Sequence, residues 1–217
     1  MKSFIKENSV SLLFIAFTAG LGLALRSRLP ILLPSHYGVT GAPDHYLPAL
    51  QVIFLLPGIS LLLVLMLPLL MRVSPPGFQM PESRRGLARV NFAIVLMLSI
   101  VQVGILLSQL PDSRFTPPPF FCAAFGAGFL VLGNFFGKLE RNFFVGIRTP
   151  WTLASEQNWL ATHRFAGKLM VGTGMVLLAL SLMGSTLVVA LVLIVVASLL
   201  PVGYSFWFYR TRENHQR

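Results

Sequence analysis

Charge is scarce in this chain. Of its 217 residues, 11% are Asp, Glu, Lys or Arg, against roughly 25% in soluble domains. Acidic residues are scarcest, seven against seventeen Lys and Arg, for a net charge of +10. The single cysteine, Cys122, excludes an intramolecular disulfide. It lies in the apolar stretch 120–129 and reads as a small buried hydrophobe rather than a reactive thiol. No internal repeat of roughly 20–50 residues stands out. The alternation of apolar and polar residues over about ten positions that a membrane β-barrel strand needs is missing as well.

Apolar residues are plentiful. The AVILMFWYC set makes up 55% of the chain, and the mean hydropathy is +0.75. That excludes a disordered chain, a coiled coil and a typical soluble enzyme. A basic excess in such a chain reports membrane orientation before it reports nucleic acid.

A spanning helix needs about 20 mainly apolar residues. Asn8–Leu25, Ala49–Met71, Val90–Leu110 and Phe120–Gly137 each qualify. Leu169–Tyr209 is 41 residues without a charge, too long for one span and right for two, with Gly184-Ser185-Thr186 as the turn. The first run exceeds a signal-peptide core and lacks an A-x-A site, so an uncleaved helix is expected. Pro57 in the second run is tolerable as a kink packed on a neighbour.

The expected fold is all-α: a polytopic, multi-pass membrane protein of six transmembrane helices. With the N-terminus inside, fourteen of the seventeen basic residues are cytoplasmic, from Lys2 to Arg217, and only Arg26, Arg28 and Arg114 are external. This is a positive-inside partition with both termini cytoplasmic. Pro75-Pro76-Gly77 breaks the first internal loop.

The longest internal loop, Lys138–Lys168, holds two of the three tryptophans. Thr149-Pro150 is a helix start, since Thr accepts from a free N–H and Pro suits the first position. A helix from Trp151 to Arg164 puts Glu156, Trp159 and His163 on one face. Two readings stand: an amphipathic helix in the headgroup region, or a packed polar site. HExxH spacing is absent, and neither a metal nor a cofactor is expected.

Gly146-Ile147-Arg148-Thr149-Pro150-Trp151-Thr152-Leu153, then Trp159, Thr162-His163-Arg164 and Gly167, with Gly133-Asn134 and Asn142 upstream, resembles the signature of the SdpI-like membrane proteins. That family is named for an immunity protein that protects its producer from its own secreted killing peptide. The resemblance implies binding of a toxic peptide at or in the bilayer, with membrane lipid around it. It also implies tethering of a cytoplasmic repressor in the founding system, with no direct nucleic-acid contact by the chain. The candidate functional residues are Asn134, Asn142, Gly146, Arg148, Thr149, Pro150, Trp151, Thr152, Glu156, Trp159, Thr162, His163, Arg164 and Gly167.

The external loop, with Leu29-Pro30, Pro34-Ser35-His36-Tyr37 and Gly41-Ala42-Pro43-Asp44, is similar to the N-terminal domain of unknown function that accompanies the family. The expected division is 1–72, a two-helix domain with external loop 26–48, and 88–217, a four-helix domain carrying signature loop 138–168. His36, Gly41 and Asp44 are the external candidates. His36, Asp44 and His45 have side chains able to hold a divalent cation; the alternative is a rigid, turn-rich cap.

Asn91, Gln102 and Asn134 lie in or near hydrocarbon, and no ionisable residue lies mid-span, which argues against a proton pump. Gln102 is expected to bond another helix, and Gly133–Gly137 permits close helix contact. Six helices with Pro57, Gln102 and Asn134 keep a small-solute or lipid transporter or channel as the alternative function. No nucleophile–base pair is present, so an enzyme is not expected.

Overall fold

The computed structural model describes residues 2–73, 83–184 and 187–213. Pro75-Pro76-Gly77, Ser185-Thr186 and Arg217 lie outside the described residues. Six helices are long and apolar enough to cross a membrane. They are α1 (Lys2–Leu25), α2 (Ala49–Arg72), α3 (Ser83–Ser108), α4 (Pro117–Phe136), α6 (Glu156–Leu182) and α7 (Leu187–Phe208), with the short α5 (Pro150–Ala154) ahead of α6.

The burial pattern inverts that of a soluble protein. Large apolar side chains point outward, among them Leu13 and Phe17 on α1, Leu62 and Leu65 on α2, and Val192 and Leu199 on α7. Polar residues point inward: Asn8, Ser11 and Thr18 on α1, Ser60 on α2, Asn91, Ser99 and Gln102 on α3. Water offers no reason for that arrangement. A bilayer does, since lipid is as apolar as leucine and polar groups gain by bonding across helices.

Helix α3 is central, packing on α1 and α2 on one side and on α4 on the other, while α4 packs on α6 and α6 on α7. In α2, Pro57 has no N–H for the carbonyl of Ile53, its partner in a regular helix. Gln102 of α3 supplies the missing donor. Its Nε2 lies 3.4 Å from the Ile53 oxygen and 3.2 Å from that of Val52. The expected interhelical bond is therefore present, and it repairs the proline defect.

The α4–α6 seam is built on glycine. A Cβ on Gly133 would stand 2.7 Å from the Gly167 carbonyl, and one on Gly126 3.0 Å from that of Gly174. Both pairs sit seven residues apart on antiparallel helices, so two turns of one backbone lie directly on two turns of the other. Gly137 meets Arg164 in the same seam. The Gly133–Gly137 spacing thus serves a contact within the chain. Cys122 is buried with Leu177 and Ala190.

Two elements differ from the all-α expectation. The loop after α1 forms an antiparallel hairpin, β1 (Leu32–Tyr37) and β2 (Pro43–Pro48), with Leu33 opposite Leu47 and an irregularity at His36. A two-stranded hairpin is marginal alone. This one is held by Leu29 and Leu33, buried against Val52, Ile53, Ile105 and Leu106. The second difference lies between α4 and α6. The expected helix Trp151–Arg164 is broken at Ser155, and residues 156–168 are the first turns of α6 itself.

Candidate functional site

The signature residues gather where α4 ends and α6 begins. Asn142 organises the turn after α4. Its Oδ1 accepts from the N–H groups of Phe144 (3.0 Å) and Val145 (2.7 Å), and its Nδ2 donates to the carbonyls of Glu140 and Val145. The side chain thereby replaces the secondary structure that this stretch lacks.

Gly146 follows at φ +119°, a left-handed backbone that favours glycine. Space requires glycine too: a Cβ there would stand 2.4 Å from Nε2 of His163 and 3.0 Å from the Trp159 ring. The backbone passes so close that the N–H of Ile147 donates to His163 Nε2 at 3.0 Å. His163 Nδ1 in turn lies 2.8 Å from the Trp159 carbonyl. One ring nitrogen accepts and the other donates, so the imidazole is the neutral Nδ1–H form. It stacks on Trp159 at 4.0 Å and lies beside Phe136 at 5.0 Å. Trp159 and His163 are both 0% exposed, and the indole N–H donates to the Leu139 carbonyl at 2.7 Å.

Thr149 caps α5 through a reciprocal box with Thr152: the Thr149 N–H donates to Thr152 Oγ1 (2.8 Å), and the Thr152 N–H to Thr149 Oγ1 (3.3 Å). Pro150 occupies the first helical position, where no N–H is needed. Thr152 Oγ1 also donates to the Ile147 carbonyl at 2.8 Å, which ties α5 to the turn that holds His163. Ser155 then caps α6, accepting from the Asn158 N–H at 3.2 Å.

A second set of bonds runs to α7. The Trp151 indole donates to Ser205 Oγ at 2.8 Å, and Asn158 Nδ2 donates to the Ser205 carbonyl at 3.2 Å. Thr162 Oγ1 donates to Asn158 Oδ1 at 3.0 Å. Trp151 also stacks on Tyr209, which lies in the π-helical turn Tyr209–Glu213.

Asn142, Gly146, Thr149, Pro150, Trp151, Thr152, Trp159, Thr162 and His163 therefore form one packed unit, and Gly167 locks it to α4. Of the two readings of this segment, the geometry is that of a packed polar cluster. Arg148 is exposed and donates to the Phe143 carbonyl. Glu156 and Arg164 are exposed too, so Glu156 does not join His163 on a shared buried face. Asn134 lies apart, exposed in a groove of about 620 Å3 with Glu7 and Arg89. Ser205, Asn158 and the carbonyls of Leu139 and Ile147 belong to the unit and were not anticipated. The only sequence signals were a polar residue in the apolar run of α7 and an Asn-x-x-x-Thr spacing.

At the opposite end, His36 Nδ1 lies 2.6 Å from Asp44 Oδ1, and Ser35 Oγ 2.8 Å from His45 Nδ1. Both pairs link the two strands on their exposed side. Gly41, at φ +82°, rests against Pro118 at the start of α4. Among the described residues, His, Cys, Asp and Glu side chains gather nowhere in a group of three or more able to hold a metal.

The SdpI/YfhL protein family matches residues 138–205, and a domain of unknown function, DUF1648, matches residues 13–61. The immunity protein SdpI of Bacillus subtilis (strain 168) is 26% identical over 215 residues, covering 98% of this chain and 100% of that protein. No solved structure matches. The first match contains the packed cluster and its α7 partner Ser205, and the second contains the hairpin with the adjoining halves of α1 and α2. With its six spans, the chain is a multi-pass bacterial membrane protein that is similar to the SdpI/YfhL protein family over residues 138–205.

Proposed function

We propose that this protein is an immunity protein: it protects the bacterium that carries it from a secreted killing peptide acting at the membrane. The observation that carries this reading is the end-to-end similarity to an immunity protein, with 98% of one chain aligned to 100% of the other. An activity of the whole fold, not of one borrowed segment, is what such coverage supports. The packed cluster is the part we assign to that activity: Asn142, Gly146, Thr149, Pro150, Trp151, Thr152, Trp159, Thr162 and His163, with Arg148, Glu156 and Arg164 on its exposed side.

The arginine-rich end, with the cluster and both termini, faces the cytoplasm, and the hairpin faces out. The positive-inside distribution supports this orientation. A peptide arriving from outside then meets the hairpin end first. The exposed Arg148 and Arg164 are placed to meet a cytoplasmic partner, in the manner of the founding system's repressor.

The test is expression in a peptide-sensitive bacterium, with the protein confirmed in the membrane fraction. Survival of cells carrying the chain, and death of cells carrying empty vector, is the expected result. Equal killing removes the immunity reading.

A further inference from the structure

The groove of about 620 Å3 beside Asn134 is lined by α1, α3 and α4. Helix α3 packs on both of the others, so it forms the floor while α1 and α4 form the walls. The lining is ordered along the membrane normal. Glu7 of α1 and Arg89 of α3 each stand immediately before an apolar run, 8–25 and 90–110, and Asn134 lies in the last turn of α4. The three polar side chains therefore share one level, the boundary between headgroups and hydrocarbon. Val10, Phe92 and Leu130 line the groove three or four positions further along the same helices. They are apolar and lie about 4.5–6 Å deeper. Charge at the boundary with hydrocarbon beneath it is the order of groups in a phospholipid.

The two charges narrow the class of lipid. Arg89 lays its guanidinium over the Phe135 ring, 4.6 Å from the centroid. A guanidinium stacked in this way keeps its N–H edge for an anion. Glu7 is exposed on α1. Among the described residues neither side chain is ion-paired or hydrogen-bonded, although both line one groove. Opposite charges that share a groove without meeting fit a ligand that carries both signs. Glu7 also does nothing to attract the anionic lipid that a basic end otherwise draws. Phosphoethanolamine has the required parts. Its phosphate accepts two N–H bonds from a guanidinium, and its ammonium donates to a carboxylate.

We propose that this groove holds one phosphatidylethanolamine molecule, with its phosphate on Arg89, its ammonium on Glu7 and an acyl chain along Val10, Phe92 and Leu130. The ligand is read from the groove alone; neither the immunity reading nor the side of the membrane enters it.

The test titrates the full-length chain in detergent with phosphatidylethanolamine, phosphatidylcholine and phosphatidylglycerol of identical acyl chains, counting bound lipid by native mass spectrometry. The choline lipid carries the same charges but has no N–H for Glu7. The glycerol lipid keeps the phosphate and offers Glu7 no cation. The ethanolamine lipid is expected to bind about fivefold more tightly than either, the effect of one exposed ion pair. Glu7→Ala, a change to a good helix former at an exposed position, is expected to erase that preference with thermal unfolding unchanged. Arg89→Gln is expected to weaken all three lipids, since each carries the phosphate. Equal binding of the three by wild type, as for lipid that merely coats an apolar surface, overturns the proposal. A preference for the glycerol lipid overturns it too, because a basic surface that attracts anionic lipid then accounts for the binding. So does a preference for ethanolamine that survives Glu7→Ala.

Discussion

The side-chain amide of Gln102 stands in for the N–H that Pro57 lacks, donating to the carbonyl of Ile53 across the α2–α3 interface. Two oddities of the apolar runs, a proline in one helix and a glutamine in another, thus explain each other. The expected cost of Gln102→Leu is about 0.6–2 kcal/mol, the range for bonds between membrane helices. In a Pro57→Ala background the Ile53 carbonyl regains its helical donor, so the same substitution is expected to cost less. A double-mutant cycle by unfolding in detergent measures this coupling; strict additivity would show that the two residues act independently.

Gly146 is required by backbone and by space at once. Gly146→Ala is expected to destabilise by about 2 kcal/mol or more, because a left-handed φ and a clash with His163 add together. Thermal unfolding reads the loss. An unfolding temperature equal to wild type would mean that the backbone does not pass against the imidazole.

His163 acts as a ring and as an acceptor, and two substitutions separate the roles. His163→Phe keeps a ring against Trp159 but leaves the Ile147 N–H without its acceptor, for an expected loss of about 1–3 kcal/mol. His163→Ala removes the stacking as well and is expected to cost more. Equal stability of the two variants would assign the residue's whole contribution to the hydrogen bonds.

Gly167 and Gly172 lie on the same helix in opposite circumstances. A Cβ at Gly167 would meet the Gly133 carbonyl at 2.7 Å, whereas one at Gly172 meets nothing within 4 Å. Gly167→Ala is expected to destabilise by about 1–3 kcal/mol, since backbone cannot yield as a side chain can. Gly172→Ala is expected to be neutral or stabilising by up to about 1 kcal/mol through helix propensity. Parallel melts of the two variants decide it. Similar values would rule out a tight α4–α6 seam.

What the sequence revealed and what it hid follow from physical range. The six spans were legible because a run of apolar residues long enough to cross a bilayer is a local signal. Trp159 and His163 were placed on one face by helical spacing, and the structure stacks them. Glu156 obeyed the same spacing but lies in the first turn of α6, beyond the packed layer. The break at Ser155 was hidden because a cap bond to Asn158 leaves no trace in hydrophobicity. The hairpin was hidden because Pro34, Pro43 and Pro48 argue against strands, and its support comes from Val52, Ile53, Ile105 and Leu106, on helices later in the chain. The α7 share of the cluster was hidden for a similar reason: Ser205 meets Trp151 and Asn158 only once the fold is complete.

Protection is the claim on which the account turns, and a killing curve tests it most directly. A peptide-sensitive bacterium is exposed to graded doses of purified killing peptide while expressing wild type or Gly146→Ala, with membrane levels of the two matched by immunoblot. The account predicts that wild type moves the curve to higher doses than empty vector and that Gly146→Ala moves it less. Coincident curves for wild type and vector, with wild type present in the membrane, would contradict it.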